Sequence, residues 1–176
     1  MKIYYDKALL SKLGVGYLFI DTTSLIAIIT HEELFSEFLE VMEQAGRALV
    51  TIPSVAFEFT RTDSIKSYNT RVQFIKNRVS VYPIEKHIEA YRQLIPVLQR
   101  ICKSMSYSDF LLYCCLNHFH NSRLITENHK DFLTSILNRE ALITIDDGGP
   151  TIRSTGIYSF NYINYEKASA DILAGK

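Results

Sequence analysis

Long apolar runs are missing from this chain. Stretches such as Leu18 to Ile20 and Leu25 to Ile29 break off well before the roughly 20 residues that span a bilayer, which excludes a membrane helix and predicts a soluble protein. Residues 1–16 scatter Lys2, Asp6, Lys7 and Lys12 among apolar residues, so the continuous apolar segment of a signal peptide is missing too. Cysteine is scarce. Cys102, Cys114 and Cys115 make neither an even disulfide framework nor a CxxC pair, and they read as buried, reduced thiols in a cytoplasmic protein. A charge excess is also lacking: 19 Lys plus Arg balance 19 Asp plus Glu, so no global positive field draws nucleic acid. The five histidines include no HExxH and no Cys/His set for zinc. Gly14 and Gly16 belong to no phosphate-binding glycine loop, and no serine sits in a G-x-S-x-G elbow.

What remains is ordinary globular composition, 47% hydrophobic and 22% charged, in 176 residues, enough for one domain with a substantial core. The chain divides into a leader over 1–16, a body over 17–149 and an extension over 150–176. Tyr4, Tyr5, Leu9 and Leu10 of the leader could dock on a core, with Gly14 and Gly16 as a break. Tyr17 to Asp21 reads as a central strand, and Thr22, Thr23 or Ser24 as caps of a helix from about Leu25. Apolar residues at spacings of three and four predict a helix over 32–45, stopped by Gly46. Leu49 to Ile52 is a second strand ended by Pro53, and Ser54 could cap a helix carrying Glu58 near its first turn.

A polar helix is expected over Ser64 to Lys76, then a short strand over Val79 to Tyr82. The stripe from Ile88 to Ile101 is helical, kinked or divided at Pro96. Ser106-x-x-Asp109 has the form of a capping box and opens another helix, and Leu124 to Thr126 and Ala141 to Ile145 supply two more strands. Residues 146–150 are a dense turn signal, and the aromatic tail beyond them fits either added strands or a docked arm. The alternation predicts an α/β fold, a three-layer sandwich around a mainly parallel sheet.

Four acids stand where buried segments stop: Asp21 after Tyr17 to Ile20, Glu58 after Ala48 to Ile52, Asp109 at a helix start, and Asp131 after Leu124 to Thr126. In a parallel sheet the carboxyl ends of the strands share one edge, where ligands collect. Carboxylates brought together there repel and raise one another's pKa unless a cation sits among them, so a divalent-metal centre is expected. Thr22 and Thr126 could hydrogen-bond these acids or bound water. Arg61, one turn after Glu58, could fix its carboxylate or meet a phosphate, and with Lys66, Arg71, Lys76 and Arg78 it forms either a solvated face or a local phosphate-contacting patch.

The segments Leu18 to Ser24, Ile52 to Glu58, Ser108 to Leu116 and Leu124 to Phe132 resemble, in order, the four acidic motifs of the PIN-domain family, to which many VapC-type toxin ribonucleases belong. The resemblance covers about residues 17–145. It implies a parallel sheet between helices and an acidic cluster that binds Mg²⁺ or Mn²⁺ and cuts RNA. Carried over by motif, Asp21, Glu58, Asp109 and Asp131 are the metal-binding and catalytic acids, with Asn128 as a neutral ligand or water-orienting group. Arg61, Thr22 and Thr126 are the expected substrate contacts. Partners implied are the RNA, an antitoxin protein and a second copy of the chain. The alternative expectation is a PIN-like module that binds RNA or protein without cutting.

Overall fold

A computed structural model of the chain describes residues 2–6, 8, 15–146 and 152–175. The elements are, in order, β1 (Lys2–Tyr4), β2 (Gly16–Ile20), α1 (Thr22–Thr30), α2 (Glu32–Gln44), β3 (Arg47–Thr51), α3 (Pro53–Thr60), α4 (Ile65–Arg78) and β4 (Ser80–Val81). A 3-10 helix (Ile84–Tyr91) follows, then α5 (Leu94–Ile101), α6 (Tyr107–His118), β5 (Arg123–Thr126), β6 (Leu137–Asp146), β7 (Arg153–Phe160) and α7 (Tyr162–Leu173).

The fold is α/β, with a seven-stranded mixed sheet in the order β1-β6-β7-β5-β2-β3-β4. Strands β5, β2, β3 and β4 run parallel, with Leu18 facing Arg123 on one side and Leu49 on the other. The remaining pairs, β5 with β7, β7 with β6 and β6 with β1, are antiparallel. The sheet is therefore less parallel than the alternation of elements predicted. Only residues 147–152 separate β6 from β7, too few for the crossover of a dozen or more that a parallel pair requires. The aromatic segment after Pro150 thus provides an interior strand, β7, hydrogen-bonded on both sides, and then α7.

Apolar residues explain why the middle strands sit where they do. Leu18, Phe19 and Ile20 of β2 and Leu124 and Ile125 of β5 are fully buried, and each such side chain contributes about 1.5–3 kcal/mol relative to exposure. Helices pack in two sets, α1 with α2 and α3 and α3 with α4, and α6 with α5 and the 3-10 helix and α5 with α7, compatible with a three-layer sandwich. Residues 2–4 pair with the end of β6, and Tyr5 meets Phe38 edge-on at 5.9 Å, so this part of the leader does dock. Leu9, Leu10 and Gly14 lie outside the described residues.

Helix boundaries follow local chemistry. Gly46, at φ +72°, ends α2 one residue past the Ala45 cap. The stripe over 88–101 divides before Pro96, not at it: α5 starts at Leu94, which puts Pro96 in the first turn, where its missing N–H has no partner to lose. Helix α3 begins at Pro53 with Ile52 as N-cap, so Ser54 does not cap it and Glu58 falls in the second turn. The sheet ends in short strands on both margins, β1 of three residues and β4 of two.

Candidate metal centre

The carboxyl ends of β2, β3 and β5 lie side by side, with β2 between the other two, and chain order reverses direction across the sheet at this point. Asp21 directly follows β2 and is the N-cap of α1, its Oδ1 accepting from the Ser24 N–H at 2.9 Å. Glu58 projects from α3, which follows β3, and Asn128 and Asp131 come from the loop after β5. Asp109 enters from the first turn of α6, where the expected capping box is present: Ser106 accepts from the Asp109 N–H, and Asp109 accepts from the Ser106 N–H and hydroxyl.

Asp21, Glu58, Asp109, Asp131, Asn128 and Thr22 all line one cavity of about 280 Å³, with Thr23, Ser104, Ser106 and Ser108 completing its polar wall. Among the described residues, no Lys or Arg lines it. Burial raises the pKa of Asp21 above the ordinary carboxylate range, against hydrogen bonds from Thr126, Ser24 and Thr23 that lower it. Asp109 is raised by burial as well, and the charges of Asp131 and Asp21 add to the rise. For Asp131 burial acts upward but is outweighed by hydrogen bonds from Asn128, Cys102 and Ser104 and by the Lys130 charge, so its pKa falls.

Hydroxyls fix every carboxylate. Thr23 and Thr126 donate to Oδ2 of Asp21 at 2.9 and 2.5 Å. Thr22 and Ser108 donate to the two oxygens of Glu58 at 2.8 and 2.6 Å, tying α1 and α6 to α3. Asn128 Nδ2 donates to Oδ2 of Asp131 at 2.8 Å, while Ser104 and the Cys102 thiol approach Oδ1 at 3.2 Å. Tyr113 of α6 donates to the Asp131 carbonyl at 2.9 Å, which holds that loop against the helix.

The remaining sequence candidates fall elsewhere. Thr126 is fully buried and serves Asp21, out of reach of a substrate. Arg61 does not line the cavity, and among the described residues it forms no ion pair with Glu58, whose oxygens are taken by Thr22 and Ser108. Its carbonyl instead accepts from Arg71. Sequence reasoning missed the serines. Ser104 and Ser108 carried no signal beyond their nearness to Asp109, and the Cys102 thiol was expected only as a small buried hydrophobe.

Among the described residues, no three His, Cys, Asp or Glu side chains converge as a ready set of ligands. The acids stand instead around the wall of one open cavity. Such a donor set, all oxygen and rich in carboxylate, suits Mg²⁺ or Mn²⁺, which keeps several waters and takes only one or two carboxylates directly. It does not suit a structural zinc, which needs four converged ligands. No protein-family model, no curated protein and no solved structure matches this chain.

Proposed function

We propose that this chain is a PIN-like, Mg²⁺- or Mn²⁺-dependent endoribonuclease. The observation that supports the reading most is the meeting of four acids, drawn from four separate motifs in the expected order, around one cavity that no Lys or Arg of the described residues lines. Two of them have pKa values raised by burial, and a cation in the cavity would relieve that cost. Asp21, Glu58, Asp109 and Asp131 would hold the ion, with Asn128 beside them. A bound ion supplies a water of lowered pKa and neutralises charge on the phosphate.

The chain's own groups provide the frame. Thr126 and Ser24 orient Asp21, and Ser106 orients Asp109, so the two buried acids face the cavity without rotational freedom. Thr22 and Ser108 hold the more exposed Glu58 at the rim. The RNA substrate and the toxin role in a toxin–antitoxin pair rest on the resemblance of the motifs.

A second reading, a PIN-like module that binds RNA or protein without cutting, is favoured by the unconverged carboxylates and by the neutral Asn128 occupying Asp131. Incubation of an RNA pool with Mn²⁺ or Mg²⁺ separates the two. Cleavage by the wild type that is lost in the Asp21→Asn/Asp109→Asn double variant supports the nuclease. RNA binding without metal-dependent cutting supports the module, and cutting that persists equally in the double variant overturns the assignment of the site.

A further inference from the structure

A second cavity, of about 300 Å³, opens beside the acidic one and is lined by Ile88, Ile95, Leu98, Met105, Tyr107 and Phe110, with Gln99 and Lys103 among its polar residues. Ser106 lines both cavities, and Cys102, in the wall of the second, reaches Asp131 in the wall of the first. The two cavities are therefore neighbours that share a wall, one acidic and the other largely apolar. The lining of the apolar one includes Tyr107, 57% exposed, and Ile95, 37% exposed.

We infer that this groove receives an unpaired nucleobase of the RNA whose phosphate enters the acidic cavity. The inference rests on the nuclease or RNA-binding reading above and names what that site recognises beyond the phosphate. The volume lies at the lower end of small-ligand pockets, roughly 300–1,000 Å³, which suits a flat ring and leaves little room for a partner helix about 10–12 Å across. The lining matches the occupant. Tyr107 and Phe110 bring aromatic rings of the kind on which bases stack, the Gln99 amide both donates and accepts, and Lys103 adds a cation to the lining. Among the described residues the acidic cavity has no Lys or Arg in its lining, so Lys103 in the neighbouring one complements it.

The position of Tyr107 makes the test clean. It is the first residue of α6, takes no part in the Ser106–Asp109 capping hydrogen bonds and is mostly in solvent, so Tyr107→Ala removes an aromatic ring without opening the core. Binding of labelled single-stranded RNA octamers, each of one base, is measured by fluorescence anisotropy for the wild type, Tyr107→Ala and Gln99→Ala, beside an octamer with one abasic position. Mn²⁺ affinity is measured in parallel by calorimetry. Tyr107→Ala is expected to weaken octamer binding by ~5- to ~150-fold, the range of base–aromatic stacking. It should bind the intact and abasic octamers alike, while Mn²⁺ affinity stays unchanged. Gln99→Ala should narrow the differences among the four bases.

Octamer binding that ignores both substitutions overturns the inference and turns attention to a protein partner for the groove. If the wild type binds octamers through Tyr107 but never cuts RNA, the groove stands and the nuclease reading fails. If it cuts RNA with KM and base preference unaltered by Tyr107→Ala, the reverse holds.

Discussion

The hydroxyl of Thr126, at the end of β5, donates to Oδ2 of Asp21, at the end of β2, across 2.5 Å and 105 positions of sequence. It opposes the burial that raises the Asp21 pKa and so keeps the carboxylate available to a cation. Thr126→Val, close in shape but without a donor, should raise that pKa further. Calorimetric titration is expected to show Mn²⁺ affinity at neutral pH reduced by about 10- to 100-fold, the usual consequence of deleting a group that orients a ligand. Unchanged affinity would mean that Asp21 does not hold the ion.

The two raised acids also set a pH dependence of stability. A carboxyl whose pKa is higher folded than unfolded binds its proton more tightly in the folded state. Its stabilising contribution is complete below the unfolded value, about 4, and is lost as pH rises through the folded value. Asp21→Asn and Asp109→Asn should therefore raise the metal-free melting temperature at pH 7 by a few degrees, about 2–4 °C per kcal/mol. The gain should vanish below pH 4. Asparagine keeps the acceptor that caps α1, so the cap does not confuse the result. Melting curves between pH 3 and 8 check this, and an equal loss of stability at every pH would contradict it.

Asn128 lies 2.8 Å from Asp131 as a donor. Asn128→Asp replaces that donor with a second carboxylate, which should destabilise the metal-free protein and enlarge the melting shift produced by Mn²⁺ relative to wild type. Differential scanning fluorimetry with and without Mn²⁺ reads both effects. A lower melting temperature that Mn²⁺ does not restore would argue for the non-cutting module.

Much of this site was readable in one dimension because each acid follows a signal that strands and helices cannot hide. Asp21 ends the unalternating run of β2, and Asp109 completes the S-x-x-D box of α6; both landed as expected. Glu58 was found but misplaced by a turn, because Pro53 starts the helix itself and no side-chain cap is needed. Hydroxyls such as Ser108, 50 positions from Glu58, leave no local mark, since only the tertiary fold brings them near. The sequence offered β6 as a strand and β7 as one of two alternatives, but their antiparallel pairing was not legible for a similar reason. Residues after Pro150 mix buried and polar side chains at irregular spacing, and what makes β7 an interior strand is its pairing with β5 and β6.

Gly156 in β7 has a stricter requirement than its neighbours. A Cβ there would stand 2.4 Å from Cε2 of Tyr158, whose hydroxyl meets His129 Nδ1 at 2.6 Å in the loop between Asn128 and Asp131. Gly156→Ala should displace that ring and cost about 1–3 kcal/mol, measurable by urea denaturation. Because the ring braces the loop, Mn²⁺ affinity should fall as well. A stable variant with native affinity would show that the loop does not depend on Tyr158.

Cys102, Cys114 and Cys115 are buried and unpaired, and burial pushes the Cys114 thiol up to about 12. Thiolate, the reactive form, is then scarce at neutral pH. Ellman's reagent should find no fast-reacting thiol in the native protein and three after unfolding in guanidinium. A rapid native reaction would show that the groove around Cys102 admits the reagent.

The two margins of the sheet are short strands, three residues of β1 and two of β4, and β1 covers only Thr144 to Asp146 of the ten-residue β6. Among the described residues, the outer edge of β6 from Leu137 to Ile143 is therefore the longest stretch on which a neighbouring strand would find a template. A second copy pairing along that edge would stand two strands away from β5 and so leave the strand ends that carry the acids uncovered.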